Sequence, residues 1–332
     1  MKNTEVKNIL IRATNWIGDS IMSLPALEEI KENFPNAHIC VLSKKWVADI
    51  FRLHPAVDEL IIYRNFLEAV RILKKKRFDM AILFQNAFKA ALLAFLSGIK
   101  IRVGLDTDGR RFLLTHPVKK IGFVHHVDQY LNILKGIGIE PKRRHPKLYL
   151  KEEDLRIADE IIKREGLEGR FIIGISPGAS YGSAKRWPPD YFSKIVERAT
   201  KALKAAVFIF GTEAEAEISR KILRNTEGKV LDFCGKTDLR KTIALIKRCN
   251  MFVSNDSGLM HVSASLGVPT VGIFGSTDPE RTGPKGEKVK IVKKEIPCSP
   301  CFKRECPFGR PRCLYLISPE EVWKAMEELL DA

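Results

Sequence analysis

Val253-Ser254-Asn255-Asp256-Ser257-Gly258-Leu259-Met260-His261 reads as the apolar end of a strand, a turn of small polar residues and the start of a helix. The first amides of a helix have no carbonyl partner within it and carry partial positive charge, so such a turn is a natural seat for a phosphate. Ser257 and Gly258 let an anion approach the backbone closely, and Asp256 and His261 set an acid and an imidazole beside it. The same residues would also serve as a plain structural cap. What surrounds the turn decides between the two.

Outward from this stretch the chain repeats one pattern. Apolar runs at 171–175, 206–210, 230–233, 251–254 and 270–274 read as strands, with helical patterns near 189–203, 213–224, 239–248 and 257–266 between them. The earlier half does the same, with strands at 8–12, 39–42, 79–84 and 99–103 and a helix over about 20–33. Short buried strands alternating with helices indicate a parallel sheet with crossover helices. A chain of 332 residues exceeds one ordinary core, and the turn-rich basic stretch 141–146 separates the two series. The expectation is α/β, with two doubly wound Rossmann-like domains at 1–150 and 151–332 facing a central cleft. A C-terminal helix is able to pack back on the first domain. Ligands of such sheets bind outside the carboxyl ends of the strands.

The loops at those strand ends carry the chemistry. Ser176-Pro177-Gly178-Ala179-Ser180-Tyr181-Gly182-Ser183-Ala184-Lys185-Arg186-Trp187-Pro188 follows the first strand of the second half. Its small residues admit a ligand to the backbone, and Lys185 supplies a point charge for a leaving diphosphate. Neither G-x-G-x-x-G nor G-x-x-x-x-G-K-[ST] occurs, which argues against hydride transfer and ATP hydrolysis. Glu213, after Phe210-Gly211-Thr212, suits the hydroxyls of a ribose, or simply complements a helix dipole. In the first half, Asp19 follows Gly18 at a helix start. There a carboxylate stays ionised and suits a general base for a sugar hydroxyl, although an ordinary first-turn acid would sit in the same place.

Net charge is +16, and residues 1–150 hold +11 of it, with 25 Lys/Arg against 14 Asp/Glu. Basic clusters lie at 71–77, Arg110-Arg111, Lys119-Lys120 and Lys142-Arg143-Arg144. Such a surface attracts nucleic acid, anionic lipid headgroups or a phosphorylated sugar chain, while any single run is usually a solvated face. The polar start, 1–7, lacks a signal-peptide layout, and the apolar helix 90–96 is too short to cross a bilayer, so the expected location is the cytoplasm. Asp106-Thr107-Asp108 has the D-x-D spacing of metal-dependent transferases, but within Asp106-Thr107-Asp108-Gly109-Arg110 it reads as a surface turn. Cys298, Cys301, Cys306 and Cys313 fall within sixteen residues, a spacing open to a structural zinc, to redox pairing or to free thiols. Cys40, Cys234 and Cys249 lie in or beside apolar segments and read as packed core thiols.

Asn15-Trp16-Ile17-Gly18-Asp19, Asn86-Ala87-Phe88-Lys89, Pro177-Gly178-Ala179 through Lys185-Arg186-Trp187-Pro188, and Ser254 through His261 occur in one order and spacing. From about residue 8 to 280 this pattern resembles the ADP-heptose:lipopolysaccharide heptosyltransferases, nearest to the heptosyltransferase II type. The resemblance implies a GT-B fold and an inverting transfer of L-glycero-D-manno-heptose from ADP-heptose to heptosyl-Kdo2-lipid A. The first domain would take the lipid-linked acceptor and the second the donor. By the same resemblance Asp19 is the catalytic base and Lys185 steadies the diphosphate with help from Ser180. Glu213 binds the ribose, Asp256 lies near the heptose, and Ser257, Gly258 and His261 belong to the donor loop. No cofactor is implied for the reaction. Lys89, Arg110 and Arg111 are candidates for acceptor contact, with the enzyme peripheral on the anionic inner face of the inner membrane. Alternatives are the heptosyltransferase I type acting on Kdo2-lipid A, a nucleotide-sugar epimerase of related fold, and a basic nucleic-acid-binding protein. The last lacks aromatic residues interleaved with its basic clusters and shows no recognised module, so no nucleic acid is expected.

Overall fold

The computed structural model describes residues 6–143 and 145–331; most of the polar start (1–5) and Arg144 of the basic stretch lie outside them. The chain divides into two compact units, Met1–Tyr149 and Leu150–Ala332.

The first unit holds six strands, β1 (Asn8–Arg12), β2 (His38–Ser43), β3 (Glu59–Ile62), β4 (Met80–Leu83), β5 (Ile101–Leu105) and β6 (His116–Val118), in the order β3-β2-β1-β4-β5-β6. Every pairing is parallel. The second unit repeats the plan with β7 (Ile172–Ser176), β8 (Ala206–Ile209), β9 (Val230–Asp232), β10 (Met251–Asn255), β11 (Thr270–Phe274) and β12 (Val289–Lys293). Its order, β12-β11-β10-β7-β8-β9, is the same doubly wound arrangement, again all parallel. Central strands such as Ile9-Leu10-Ile11 and Ile172 through Ile175 are buried on both faces, which is why they read as unbroken apolar runs.

In each sheet the order in which strands are added reverses at one pair of parallel neighbours, β1 with β4 and β7 with β10. The loops leaving those strands part to opposite faces and open a crevice at the carboxyl edge. The sequence motifs fall there in both units, at 13–19 and 84–89 in the first and at 177–188 and 256–261 in the second.

Three strands escape the sequence pattern: β3, β6 and β12, short or half-exposed elements whose burial does not run continuously. The helix expected over 20–33 is two helices, Ile17–Met22 and Leu24–Asn33. Pro25 lacks an amide hydrogen and its ring would meet the Ile21 carbonyl, so the first helix ends and a second begins. The segment from Glu213 starts as a short 3-10 turn, Glu213–Glu215, before the α-helix Ala216–Arg224. The C-terminal helix, Pro319–Leu330, begins with a reciprocal Ser318–Glu321 cap and buries Val322, Trp323 and Met326 in the core of its own unit. Among the described residues no helix is long and apolar enough to cross a membrane.

Candidate active site

In the second unit, Trp187 ends the loop after β7 by filling the core. It is fully buried, its indole donates to the Ile317 carbonyl at 3.0 Å, and its ring stands edge-on to Phe192 and Tyr191. Two residues earlier Lys185 is thereby fixed at the mouth of the crevice. Its ammonium lies 2.5 Å from Asp256 Oδ2, at the end of β10, with side-chain exposures of 11% and 5%. The Thr277 hydroxyl donates to the same oxygen at 2.5 Å, and the Tyr181 ring lies 4.7 Å from the ammonium. Lysine and aspartate are held as a partly desolvated ion pair.

Asn255, buried and adjacent, locks the loop. Its Nδ2 donates to the Pro177 carbonyl at 2.7 Å and its Oδ1 accepts from the Trp187 amide at 3.0 Å, so one side chain holds both ends of the segment. Glu215, also buried, receives the Thr212 amide and hydroxyl at 2.8 and 2.9 Å and presses against Gly178, where any β-carbon would collide with its carboxylate. Gly182 has a like reason, since a β-carbon there would strike the Arg304 carbonyl, which accepts the Ala184 amide at 3.0 Å. None of these positioning roles for Asn255, Glu215 or Trp187 was visible in the sequence; each depends on a partner distant along the chain.

The helix Gly258–Ser265 starts at Ser257, whose hydroxyl is turned to Ser254 at 3.0 Å and gives no capping bond to the first turn. The amides of Leu259 and Met260, which a capping hydroxyl would take, thus receive no bond from the cap side chain. His261 is buried in that helix. Ser180 is exposed on the Lys185 loop, and Glu213 is exposed at the end of β8 with its carboxylate against Gly235. Lys185 and Asp256 are in direct contact. Ser257 and Gly258 follow Asp256 along the chain, and Glu213 stands after the neighbouring strand of the same sheet.

In the first unit Asp19 is the third residue of Ile17–Met22 and is 27% exposed. The Tyr130 hydroxyl donates to its Oδ1 at 2.9 Å, and His126 Nδ1 lies 3.4 Å from the same oxygen. Burial, reinforced by the Asp19 charge, raises Tyr130 well above the usual phenol value, so it stays a neutral donor. Two buried guanidiniums hold the loops around this site. Arg12 donates to the carbonyls of Ala13 and Leu42 and to Asn15, and burial lowers it to about 10.

Arg110 is the second of these guanidiniums, and its place differs from the expected acceptor contact. It is fully buried and donates to the carbonyls of Leu105 and Gln85 at 2.9 and 2.6 Å, and burial lowers it too to about 10. The arginine doublet resembles a surface cluster, yet only Arg111 is exposed, paired to Asp106 at 2.6 Å. Lys89 is exposed at the start of the helix Phe88–Leu96. Asp106 and Asp108 form the expected turn, Asp108 accepting the Phe88 amide at 2.6 Å.

All seven cysteines are free thiols. Cys40, Cys234 and Cys249 are buried, and burial raises the first two to about 12. In the cluster Cys298 is exposed, Cys301 and Cys306 are half-buried and Cys313 is buried. Among the described residues no three His, Cys, Asp or Glu side chains converge as a metal site.

Residues 67–311 match glycosyltransferase family 9 (heptosyltransferase). The chain belongs to this family. Among heptosyltransferases it is 31% identical to lipooligosaccharide heptosyltransferase 2 of Campylobacter jejuni serotype O:2, across 97% of this chain and 98% of that protein. It is 28% identical to lipopolysaccharide heptosyltransferase 2 of Escherichia coli K12, over 97% and 98% of the two chains. The solved ADP-heptose lps heptosyltransferase II of E. coli matches at a TM-score of 0.85 with 27% identity, covering 97% of this chain and 98% of that one. E. coli heptosyltransferase WaaC with ADP shares the fold at a TM-score of 0.75 and 18% identity, covering 97% and 99%. The protein is therefore a heptosyltransferase-family glycosyltransferase of GT-B architecture, of the heptosyltransferase II kind.

Proposed function

We propose that the protein transfers L-glycero-D-manno-heptose from ADP-heptose to the heptosyl-Kdo2-lipid A inner core, with inversion at the anomeric carbon. Asp19 removes the proton of the acceptor hydroxyl as that oxygen attacks the anomeric carbon on the face opposite ADP. The C–O bond to the diphosphate breaks and its electron pair leaves on the β-phosphate. Lys185 and the amides at Ser257 and Gly258 receive that charge. Fixed donors aimed at developing charge are commonly the largest catalytic term, about 3–4 kcal/mol for each one lost. The lysine here supplies what a divalent metal supplies in other transferases, so the reaction needs no added metal. Glu213 takes the ribose, Asp256 the heptose side, and Ser180 and His261 complete the donor loop. Lys89 and Arg111 meet the anionic acceptor at the cytoplasmic face of the membrane.

The observation that carries this reading is the Lys185–Asp256 pair at the β7/β10 crevice, 2.5 Å apart and mostly buried. A fixed cation at the carboxyl edge of the sheet supports a nucleotide diphosphate as the ligand there. The test is ADP release from ADP-heptose with no acceptor, Kdo2-lipid A or heptosyl-Kdo2-lipid A. Release only with the heptosylated acceptor is expected. Release with Kdo2-lipid A would overturn the acceptor, and silence with all three would overturn the donor.

A further inference from the structure

The proposed function gives the first unit a lipid-linked acceptor but does not say how the protein meets the bilayer that holds it. One loop in that unit is built for such a contact. After β6 the chain runs Lys119-Lys120-Ile121-Gly122-Phe123, and all five residues are exposed, Phe123 by 63%. An exposed loop of two lysines and two large apolar side chains is costly in water, yet its backbone is held firmly. Asn132 Nδ2 donates to the Lys119 carbonyl at 2.9 Å and Gln129 Nε2 to the Ile121 carbonyl at 2.5 Å, both from the largely buried helix His126–Ile133. With its carbonyls bonded inward, the loop presents its side chains outward.

The loop after the neighbouring strand offers a second exposed ring, Phe112, its centroid 6.1 Å from that of Phe88. β5 pairs with β6, and the Asp106 amide donates to the Val118 carbonyl at 2.7 Å, tying the start of the next loop to the base of this one. That loop leads to Arg111 and Phe112, and Phe112, 74% exposed, is the most exposed aromatic ring in this unit. Aromatic rings and lysines displayed together suit the interface of an anionic bilayer, where rings enter the headgroup layer and cations meet phosphate. The charge is complementary, since residues 1–150 carry +11.

We infer that Lys119, Lys120, Ile121 and Phe123, with Arg111 and Phe112, dock the first unit on an anionic lipid bilayer. The inference deepens the proposed function and rests on it for its purpose. The helix that anchors this loop also carries Tyr130 and His126, the partners of Asp19. Docking the loop therefore sets the height of the base above the headgroups.

The test is co-sedimentation of the full chain with vesicles of equal parts phosphatidylglycerol and phosphatidylcholine, and of phosphatidylcholine alone. Wild type is expected on the anionic vesicles only, with binding that weakens as salt rises. Lys119→Ala/Lys120→Ala should bind roughly thirtyfold more weakly at low salt, at the usual strength of two basic residues near such a surface. Phe112→Ser/Phe123→Ser should lose the part that survives high salt. An unchanged far-ultraviolet dichroism spectrum and thermal midpoint in each variant show that the first unit is folded. Fluorescence gained in Phe123→Trp should be quenched by brominated lipid. Equal binding by wild type and variants, or no quenching, overturns the inference. So does a concentration-dependent dimer that Phe112→Ser/Phe123→Ser dissolves, because the patch would then be a subunit contact. ADP release with a deacylated, soluble acceptor reads the transfer itself, so its failure counts against the proposed function and leaves the vesicle result standing.

Discussion

Asn255 and Trp187 stand 68 residues apart in the chain and meet at 3.0 Å, the Trp187 amide donating to the buried Asn255 side chain. The Nδ2 of the same Asn255 side chain donates to the Pro177 carbonyl, so the lysine-bearing loop is closed like a hoop on the end of β10. Asn255→Ala strands a buried donor and a buried acceptor, and should cost about 1–3 kcal/mol at each. The expected result is a lower thermal midpoint and a weaker ADP affinity together. Asn255→Asp should be worse, since a carboxylate would face the Pro177 carbonyl.

Asp19→Asn should reduce turnover on the order of a hundredfold to ten-thousandfold while leaving ADP affinity intact, as calorimetry with ADP would check. Tyr130→Phe gives a sharper reading. The phenol hydroxyl donates to Asp19 Oδ1 at 2.9 Å, and the substitution removes that bond while keeping the ring. With Asp19 as the proposed base, turnover should fall while ADP affinity stays unchanged, which steady-state kinetics and calorimetry with ADP would check.

Lys185→Met should lower kcat on the order of a hundredfold to a thousandfold and weaken ADP as well. It also leaves Asp256 buried without its cation, a loss of about 3–5 kcal/mol. Removing the aspartate too, as Lys185→Met/Asp256→Asn, should restore much of the stability and none of the activity. A double-mutant cycle in denaturant measures the coupling.

The segment joining the units is fastened by acids of the helix Leu24–Asn33. Glu28 accepts from Tyr149 at 3.1 Å and Arg143 at 2.9 Å beside the buried His54, and Glu29 accepts the Lys142 and Arg143 amides. Burial raises the Glu28 pKa, but the bonds from His54 and Tyr149 and the Arg143 charge outweigh it and leave a lowered value. A carboxylate lowered in the folded state stabilises above its unfolded value of about 4.3, and that contribution is lost as pH falls through the folded value. Glu28→Gln should therefore be less stable than wild type at neutral pH, and the two thermal midpoints should converge in acid.

Thiol titration should divide the cysteines. Cys298, Cys301 and Cys306 should react quickly with a disulfide reagent, and Cys40, Cys234 and Cys249 only on unfolding. Cys313, buried and raised to about 11 mainly by burial, should react slowly. If a chelator speeds the cluster, the four sulfurs hold a metal after all.

Long, doubly buried strands were legible because two-sided burial leaves an unbroken apolar run, and β1 and β11 begin and end where the pattern places them. Edge strands were not, since β3, β6 and β12 expose a face and mix polar with apolar residues. The turns after β7 and β10 were legible as loops at strand ends by their small residues beside a charge. Arg110 misled because a doublet of arginines looks alike whether one or both meet water. Asn255 lay in plain view within its motif, but no local pattern tells which two carbonyl or amide groups a side chain will reach across the fold.

The shared strand order of the two sheets bears on how this enzyme could be altered. Each half hangs its chemistry on loops at one crevice and leaves its strands to the core. On the proposed function, exchange of the loops that carry Lys89 and Arg111 should change the acceptor and leave the Lys185 loop and its donor as they are. Because each loop set rests on its own six-stranded sheet, either can be altered while the strands beneath the other stay unchanged.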